Sequence, residues 1–324
     1  MAIAITRPVV LEAASQEFVD ATSTPPFIYE LTPAEARNVL DDVQAAPIDK
    51  LPVDDRWITV PAEVGDVRVR IVTPRDAKGT LPAILYMHGG GWVLGNAGTH
   101  DRLVRELAVG TGAAVVFVEY DRSPEAHYPV AIEQGYATAQ WIVREGEANG
   151  LDPERMAVAG ESVGGCMTAA LALMAHDRGD VRFVQHSMWY PVTDAAMDTG
   201  SYEQFAEGYF LTAKAMAWFW DAYLPDVDRR SEPYASPLRA SDEQLAGLPP
   251  AFLLVDEADV LRDEGEAYAA RLRARGVAVS TVRYAGIPHD YKMLNPFRDT
   301  HATRAAVAQA IALAVRKGPF ANSR

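Results

Sequence analysis

Ser162 stands in the run Gly160-Glu161-Ser162-Val163-Gly164, a Gly-x-Ser-x-Gly pattern, and covalent chemistry would begin there. A serine hydroxyl becomes a useful nucleophile only when it is held out beside a base. A sharp turn does this but crowds its flanks, and glycines at 160 and 164 remove the Cβ clashes. The apolar run 156–159 before the motif reads as a strand, and 163–176 after it as a helix. That is the setting the motif requires. The helix start adds partial positive charge where an oxyanion would form. A tight strand-to-helix turn without chemistry would show the same short pattern, so the spacing alone leaves that reading open.

A second run, His88-Gly89-Gly90-Gly91-Trp92, follows the apolar stretch 83–87. Three successive glycines leave backbone N–H groups uncovered, able to donate to a developing negative oxygen. A phosphate loop does not fit, because no Gly-Lys-Ser/Thr ending follows.

A serine nucleophile needs a base, and the base needs an orienting carboxylate. Only His289 and His301 lie beyond the candidate acids. His301 opens the last amphipathic helix. His289 follows the strand 279–284 in a loop at 286–290, and the carboxyl end of a strand is where open α/β sheets place ligand chemistry. His289 is therefore the expected base. The acid should follow the strand ending at 255, where Asp256, Glu257, Asp259, Asp263 and Glu264 crowd together. Asp263 and Glu264 suit the opening of the next helix. Residue type does not separate the others.

The elements that would position these groups alternate. Strands are expected at 67–72, 83–87, 114–118, 156–159, 183–189, 251–255 and 279–284. Helices are expected between and after them at 101–109, 131–145, 163–176, 264–275 and 301–316. Such alternation predicts an α/β fold, a mainly parallel central sheet with helices on both faces. Residues 1–50 read as helices broken by prolines, at 12–19 and at 33–42, the second with Thr32 as N-cap and Pro33 at its first position. Residues 193–240 carry no strand signal and are rich in aromatics, Trp218, Phe219 and Trp220 among them. They are expected to form a helical cap over an apolar pocket. The domain reading is a catalytic body at 51–192 and 241–324, a cap insertion at 193–240, and residues 1–50 joining the cap.

Composition limits the alternatives. The chain has 324 residues, 49% of them apolar and 23% charged, which suits a globular enzyme rather than a disordered chain. With 44 acidic against 30 basic residues the formal charge is −14, and such a surface repels phosphate backbones. No nucleic-acid partner is expected. The single cysteine, Cys166, permits neither an internal disulfide nor a cysteine zinc site. It lies four residues after Ser162 and reads as core packing. Arg7 and Glu12 interrupt the first apolar stretch, so no signal-peptide core is expected, and no uncharged apolar run reaches membrane-helix length. A cytoplasmic location with no membrane association follows as the expectation. No metal-ligand cluster or dinucleotide glycine pattern appears, so no cofactor and no metal is expected.

Together, His88-Gly89-Gly90-Gly91-Trp92, Tyr120-Asp121-Arg122-Ser123-Pro124-Glu125 and Gly160-Glu161-Ser162-Val163-Gly164-Gly165 occur in that order. This combination resembles the bacterial hormone-sensitive-lipase-like carboxylesterases of the α/β-hydrolase fold, over about residues 80–295. The resemblance implies a serine carboxylesterase acting on small ester substrates, with a triad of Ser162, Asp259 and His289. The choice of Asp259 comes from the family's Asp-Pro-Leu-Arg-Asp-Glu-Gly pattern, which here reads Asp259-Val260-Leu261-Arg262-Asp263-Glu264-Gly265. Glu257 is the runner-up, a supporting residue. By the same resemblance Gly90, Gly91 and Val163 supply the oxyanion-hole amides. His88 and Glu161 support the loop, and Tyr120 and Glu125 are structural members of their turn. The resemblance alone suggests a homodimer.

Three positions depart from the family pattern. Val163 replaces an alanine and is expected to narrow the pocket. Val260 replaces a proline and is expected to loosen the turn after the acid. Asp290 stands where glycine is common, and its charge is expected to raise the pKa of His289. An amidase, lactonase or deacetylase would use the same machinery, and a ligand-binding protein without chemistry could share the fold. Short-to-medium acyl esters are the expected substrates.

Overall fold

A computed structural model of the chain describes residues 9–316. Eight strands form one sheet: β1 (Val53–Val60), β2 (Val67–Pro74), β3 (Leu81–Met87), β4 (Ala114–Glu119), β5 (Leu151–Glu161), β6 (His186–Trp189), β7 (Ala251–Ala258) and β8 (Val279–Pro288). Their order is β1-β2-β4-β3-β5-β6-β7-β8. β2 pairs antiparallel with both β1 and β4, and all remaining pairs are parallel. The expected mainly parallel sheet is present.

The helices are α1 (Ala13–Ala21), α2 (Pro33–Gln44), α3 (Asp101–Thr111), α4 (Val130–Glu145), α5 (Val163–Arg178), α6 (Gly200–Gln204), α7 (Ala213–Tyr223), α8 (Asp242–Leu245), α9 (Arg262–Ala274) and α10 (His301–Arg316). From β3 the chain passes to β4 on one side, then returns across β3 to β5. Right-handed crossovers therefore place α3 and α4 on opposite faces of the sheet. α10 packs beside α3, and α4 beside α5. The central strands are continuous apolar runs because helices cover both their faces. α5 is buried throughout residues 163–175, which is why its sequence shows no polar stripe.

β1, β8 and β5 differ from the expected strands. β1 carried no signal, since only Val53 and Val60 of its eight residues are buried and no alternation marks its face. β8 runs four residues beyond the expected end at 284, so residues 286–288 are strand rather than loop, and His289 is the first residue past it. β5 likewise starts five residues early, across an irregular register at Pro82/Ala83 of its partner β3.

At the amino end, α2 begins as expected. Thr32 accepts from the Glu35 N–H, and Glu35 reaches back to the Thr32 N–H, closing a capping box. Between β6 and β7 the chain forms α6, α7, α8 and short 3₁₀ turns, with no strand among residues 193–240. Thr212 caps α7 through the Ala215 N–H. α7 is clamped to the loop after β3, where Trp92 stacks on Tyr223 with ring centroids 4.1 Å apart.

Candidate active site

Three carboxyl strand ends meet at one point. Ser162 follows β5, Asp259 follows β7 and His289 follows β8. Ser162 has φ +56° and ψ −123°, a conformation a non-glycine residue adopts only when its surroundings enforce it. The enforcement is visible. Its N–H donates to Trp189 O at 2.9 Å. Its flanks admit no side chain: a Cβ on Gly164 would lie 2.1 Å from Met87 O, and one on Gly160 2.4 Å from the same oxygen. The turn therefore presses β5 and α5 against the end of β3.

His289 Nε2 lies 2.9 Å from Ser162 Oγ, and His289 Nδ1 lies 2.7 Å from Asp259 Oδ2. All three side chains are buried. The second oxygen of Asp259 accepts from the Leu261 N–H at 3.0 Å, and Arg262 N donates to Asp259 O. Val260 O also takes the Ser201 hydroxyl, so the turn expected to be loosened by Val260 is pinned by three hydrogen bonds. Burial alone would lower the pKa of His289; the Asp259 and Asp290 carboxylates oppose it and prevail, holding the imidazole above its ordinary value. Asp290 Oδ1 lies 3.8 Å from His289 Nε2, as its position in the sequence led us to expect.

The other acids separate clearly. Asp256 is fully buried on β7, and burial pushes its carboxyl well above the usual range. Glu257 accepts the Gly286 N–H at 2.6 Å, tying β7 to β8 below His289. Asp263 and Glu264 lie in the first turn of α9. His301 starts α10, exposed to solvent. Among the described residues, one group of acidic and His side chains is tight enough to hold a metal: Asp256, Asp259 and His289, with donor atoms within 4.8 Å of one another. Within it, Asp259 and His289 are already bonded to each other.

The glycine loop lies against the serine. Neither the Gly90 nor the Gly91 N–H has a hydrogen-bond partner among the described residues, and Val163 begins α5, where the first N–H groups lack an intrahelical acceptor. Gly91 has φ +62°, and a Cβ there would lie 2.0 Å from the ring of Phe219, so glycine lets α7 pack onto this loop. His88 is buried, stacked on Tyr120 with centroids 4.1 Å apart, and bonded to Gly89 O through Nδ1. Burial holds its pKa well below the ordinary value. The Tyr120 hydroxyl donates to His88 O. Glu125 pairs with Arg37 of α2, which also donates to Val93 O and Ser123 O, binding the amino-terminal helices to this loop.

Sequence reasoning named Glu161 but missed its partners. Its carboxylate accepts from the Gly89 N–H, the Tyr86 hydroxyl and His100 Nε2 at 2.7 Å. Burial would lower the His100 pKa, but Glu161 raises it, so the two form an ion pair inside the protein. Nothing in the local sequence marks His100, because its partner is 61 residues away. Removing one member of a buried pair leaves a bare charge. His100→Leu is expected to cost about 3–5 kcal/mol of stability, read from denaturant unfolding.

Ser162, His289 and Asp290 open onto a cavity of about 270 Å³. Its walls come from both segments outside the sheet: Phe18, Ile28 and Leu40 on one side, Phe210, Met216 and Phe219 on the other. Val163 is fully buried and does not line it, so the expected narrowing does not occur. Cys166 is buried in α5, donates to Ala235 O, and burial pushes its thiol pKa up, as suits core packing. No helix among the described residues is long and apolar enough to cross a membrane.

With this geometry established, comparison with known proteins is direct. A family profile described as "alpha/beta hydrolase fold" matches residues 84–293. The esterase LipI of Mycobacterium tuberculosis is 38% identical over 79% of this chain and 80% of its own. An ethyl acetate hydrolase of Pseudomonas putida is 38% identical over 69% of this chain and 70% of its own. The crystal structure of a thermostable esterase from Pseudomonas putida superposes with a TM-score of 0.91 at 47% identity, covering 94% of this chain and 96% of that one. The chain belongs to the α/β-hydrolase-fold family, among its hormone-sensitive-lipase-like carboxylesterases.

Proposed function

We propose that the protein hydrolyses carboxylic esters of short-to-medium acyl chain through a Ser162, His289 and Asp259 triad. The observation that carries this reading is the continuous hydrogen-bond chain from Ser162 Oγ through His289 to Asp259, facing an apolar cavity. With its proton on Nδ1, His289 offers a free Nε2 lone pair to the serine hydroxyl. It takes that proton as Oγ attacks the ester carbonyl, then returns it to the departing alcohol. Asp259 fixes the tautomer and stabilises the imidazolium. The Gly90, Gly91 and Val163 amides receive the carbonyl oxygen as it becomes negative. Water, activated by the same imidazole, then hydrolyses the acyl-enzyme. Residues 1–50 and 193–240 act as the cap, a role supported by the shared walling of the cavity by Phe18, Ile28 and Leu40 with Phe210, Met216 and Phe219; residues 1–8 lie outside the described residues. A cytoplasmic site of action fits the single, buried thiol.

Hydrolysis of p-nitrophenyl esters from acetate to dodecanoate tests the substrate class. Rates peaking at short or medium chains are expected from a bounded apolar cavity. Background rates throughout would favour an amide or lactone substrate instead.

The pH profile is also determined. The base must be neutral, and its pKa is held up partly by Asp290. Asp290→Asn removes one of the charges that raise it. The acidic limb of kcat/KM is therefore expected to move to lower pH in that variant, measured with a simple ester across pH 5–9.

A further inference from the structure

Helix α2 carries two stripes. Val39, Leu40 and Val43 line the cavity. Arg37, Asp41 and Gln44, four and three residues apart and so on one side of the helix, hold it to the body. Asp41 accepts from Asn96 Nδ2, and Gln44 donates to Thr99 O. Arg37 makes four hydrogen bonds: Nε to Val93 O at 2.8 Å, Nη2 to Ser123 O at 2.9 Å, and Nη1 and Nη2 to the two oxygens of Glu125 at 2.9 and 2.6 Å. These bonds pull the Glu125 carboxyl down to about 2, so the pair stays charged at every pH at which a histidine base works.

Val93 closes the glycine loop. Its N–H and that of Leu94 both donate to Gly90 O, at 3.2 and 2.7 Å. Gly90, Gly91 and Trp92 have φ of +99°, +62° and +60°. Glycine adopts such values freely, but a bulky Trp keeps one only where its surroundings enforce it. The surroundings are residue 123 and Arg37. Trp92 O accepts from the Ser123 N–H at 2.9 Å, and Arg37 bridges the next carbonyl, Val93 O, to Ser123 O. Two adjacent carbonyls of the loop are thus clamped to the turn after β4, and Arg37 supplies one of the two clamps. The clamp lies two residues beyond Gly91. Oxyanion donors work only when their N–H groups are already aimed at the developing charge, and small misplacements are costly.

We infer, on the basis of the esterase reading, that Arg37 is a positioning residue for the oxyanion loop: α2 not only walls the cavity but holds the Gly90 and Gly91 amides in their working orientation. A lysine could replace only part of this, because a single ammonium cannot span the three acceptors as the planar guanidinium does.

The test uses Arg37→Ala and Arg37→Lys, with thermal unfolding to verify that both are folded. Acylation and deacylation both pass through an oxyanion, so Arg37→Ala is expected to lower kcat for p-nitrophenyl acetate about tenfold or more, with KM within about twofold of native. Arg37→Lys is expected to fall between, and carries the test alone if the alanine variant does not fold. The hexanoate-to-acetate ratio of kcat/KM is expected to stay near its native value, since the cavity stripe of α2 is untouched. Butyl trifluoromethyl ketone supplies the readout specific to the loop. Ser162 Oγ adds to its carbonyl carbon, the serine proton passes to His289, and the carbonyl oxygen becomes an oxyanion. Its inhibition constant is expected to rise by about the factor by which kcat/KM falls. An acetate kcat within twofold of native in the folded variants overturns the inference. So does a loss confined to KM for hexanoate, which would make α2 a wall only, or unchanged inhibition by the ketone despite a lower kcat. Failure of the native protein to turn over p-nitrophenyl acetate overturns the esterase reading beneath it instead.

Discussion

Ser162→Ala is expected to lower kcat for ester hydrolysis by about 10⁴-fold or more while leaving the protein folded. The side chain removed is small, and the turn that holds it is built from backbone contacts of Gly160 and Gly164 with Met87 O. The backbone bond from Ser162 N to Trp189 O is untouched by the change. What is lost is the hydroxyl hydrogen-bonded to His289 Nε2. The amides of Gly90, Gly91 and Val163 remain, so a small residual rate above water is expected from oxyanion stabilisation of direct hydrolysis. Steady-state kinetics on a p-nitrophenyl ester, with circular dichroism to verify folding, measures this.

The second large effect is that of Asp259→Asn, also about 10⁴-fold in kcat near neutral pH. The substitution preserves shape but reverses one hydrogen bond. Asp259 Oδ2 accepts from His289 Nδ1 at 2.7 Å, whereas an Asn amide turned to that position donates. The imidazole then carries its proton on Nε2 and cannot accept from Ser162. The carboxylate charge that raises the pKa of His289 also disappears. Asp256 is a poor substitute, because burial disfavours its charged form. Its neighbour Glu257 is engaged with the Gly286 N–H. A loss of only a few-fold would assign the orienting role to another group.

Much of this was legible in the sequence because the signals are local. The Gly-x-Ser-x-Gly turn, the three-glycine run and the strand–helix alternation each lie within a dozen residues, and glycine positions report backbone approach directly. Ser162 and His289 could be placed by chain order and by the strand that precedes each. The acid could not. Asp256, Glu257 and Asp259 are within three residues, and only the end of β7 determines which side chain turns toward His289. The residues left invisible act across long separations. His100 gains its meaning from Glu161, and Arg37 from Val93 and Glu125. β1 was missed because six of its eight residues lie outside the core, so no alternation marks a buried face. Asp290 was noticed for its charge alone. Its place in the cavity wall required coordinates.

The claim at the centre of the account is that Ser162 is the nucleophile, and a fluorophosphonate reports it directly. Intact-mass measurement after brief treatment is expected to show one phosphonyl adduct on the native protein, mapped by peptide sequencing to Ser162, with esterase activity lost in step. The Ser162→Ala protein is expected to stay unmodified. An unmodified native protein that still hydrolyses p-nitrophenyl acetate, or an adduct at any other residue, would contradict the mechanism.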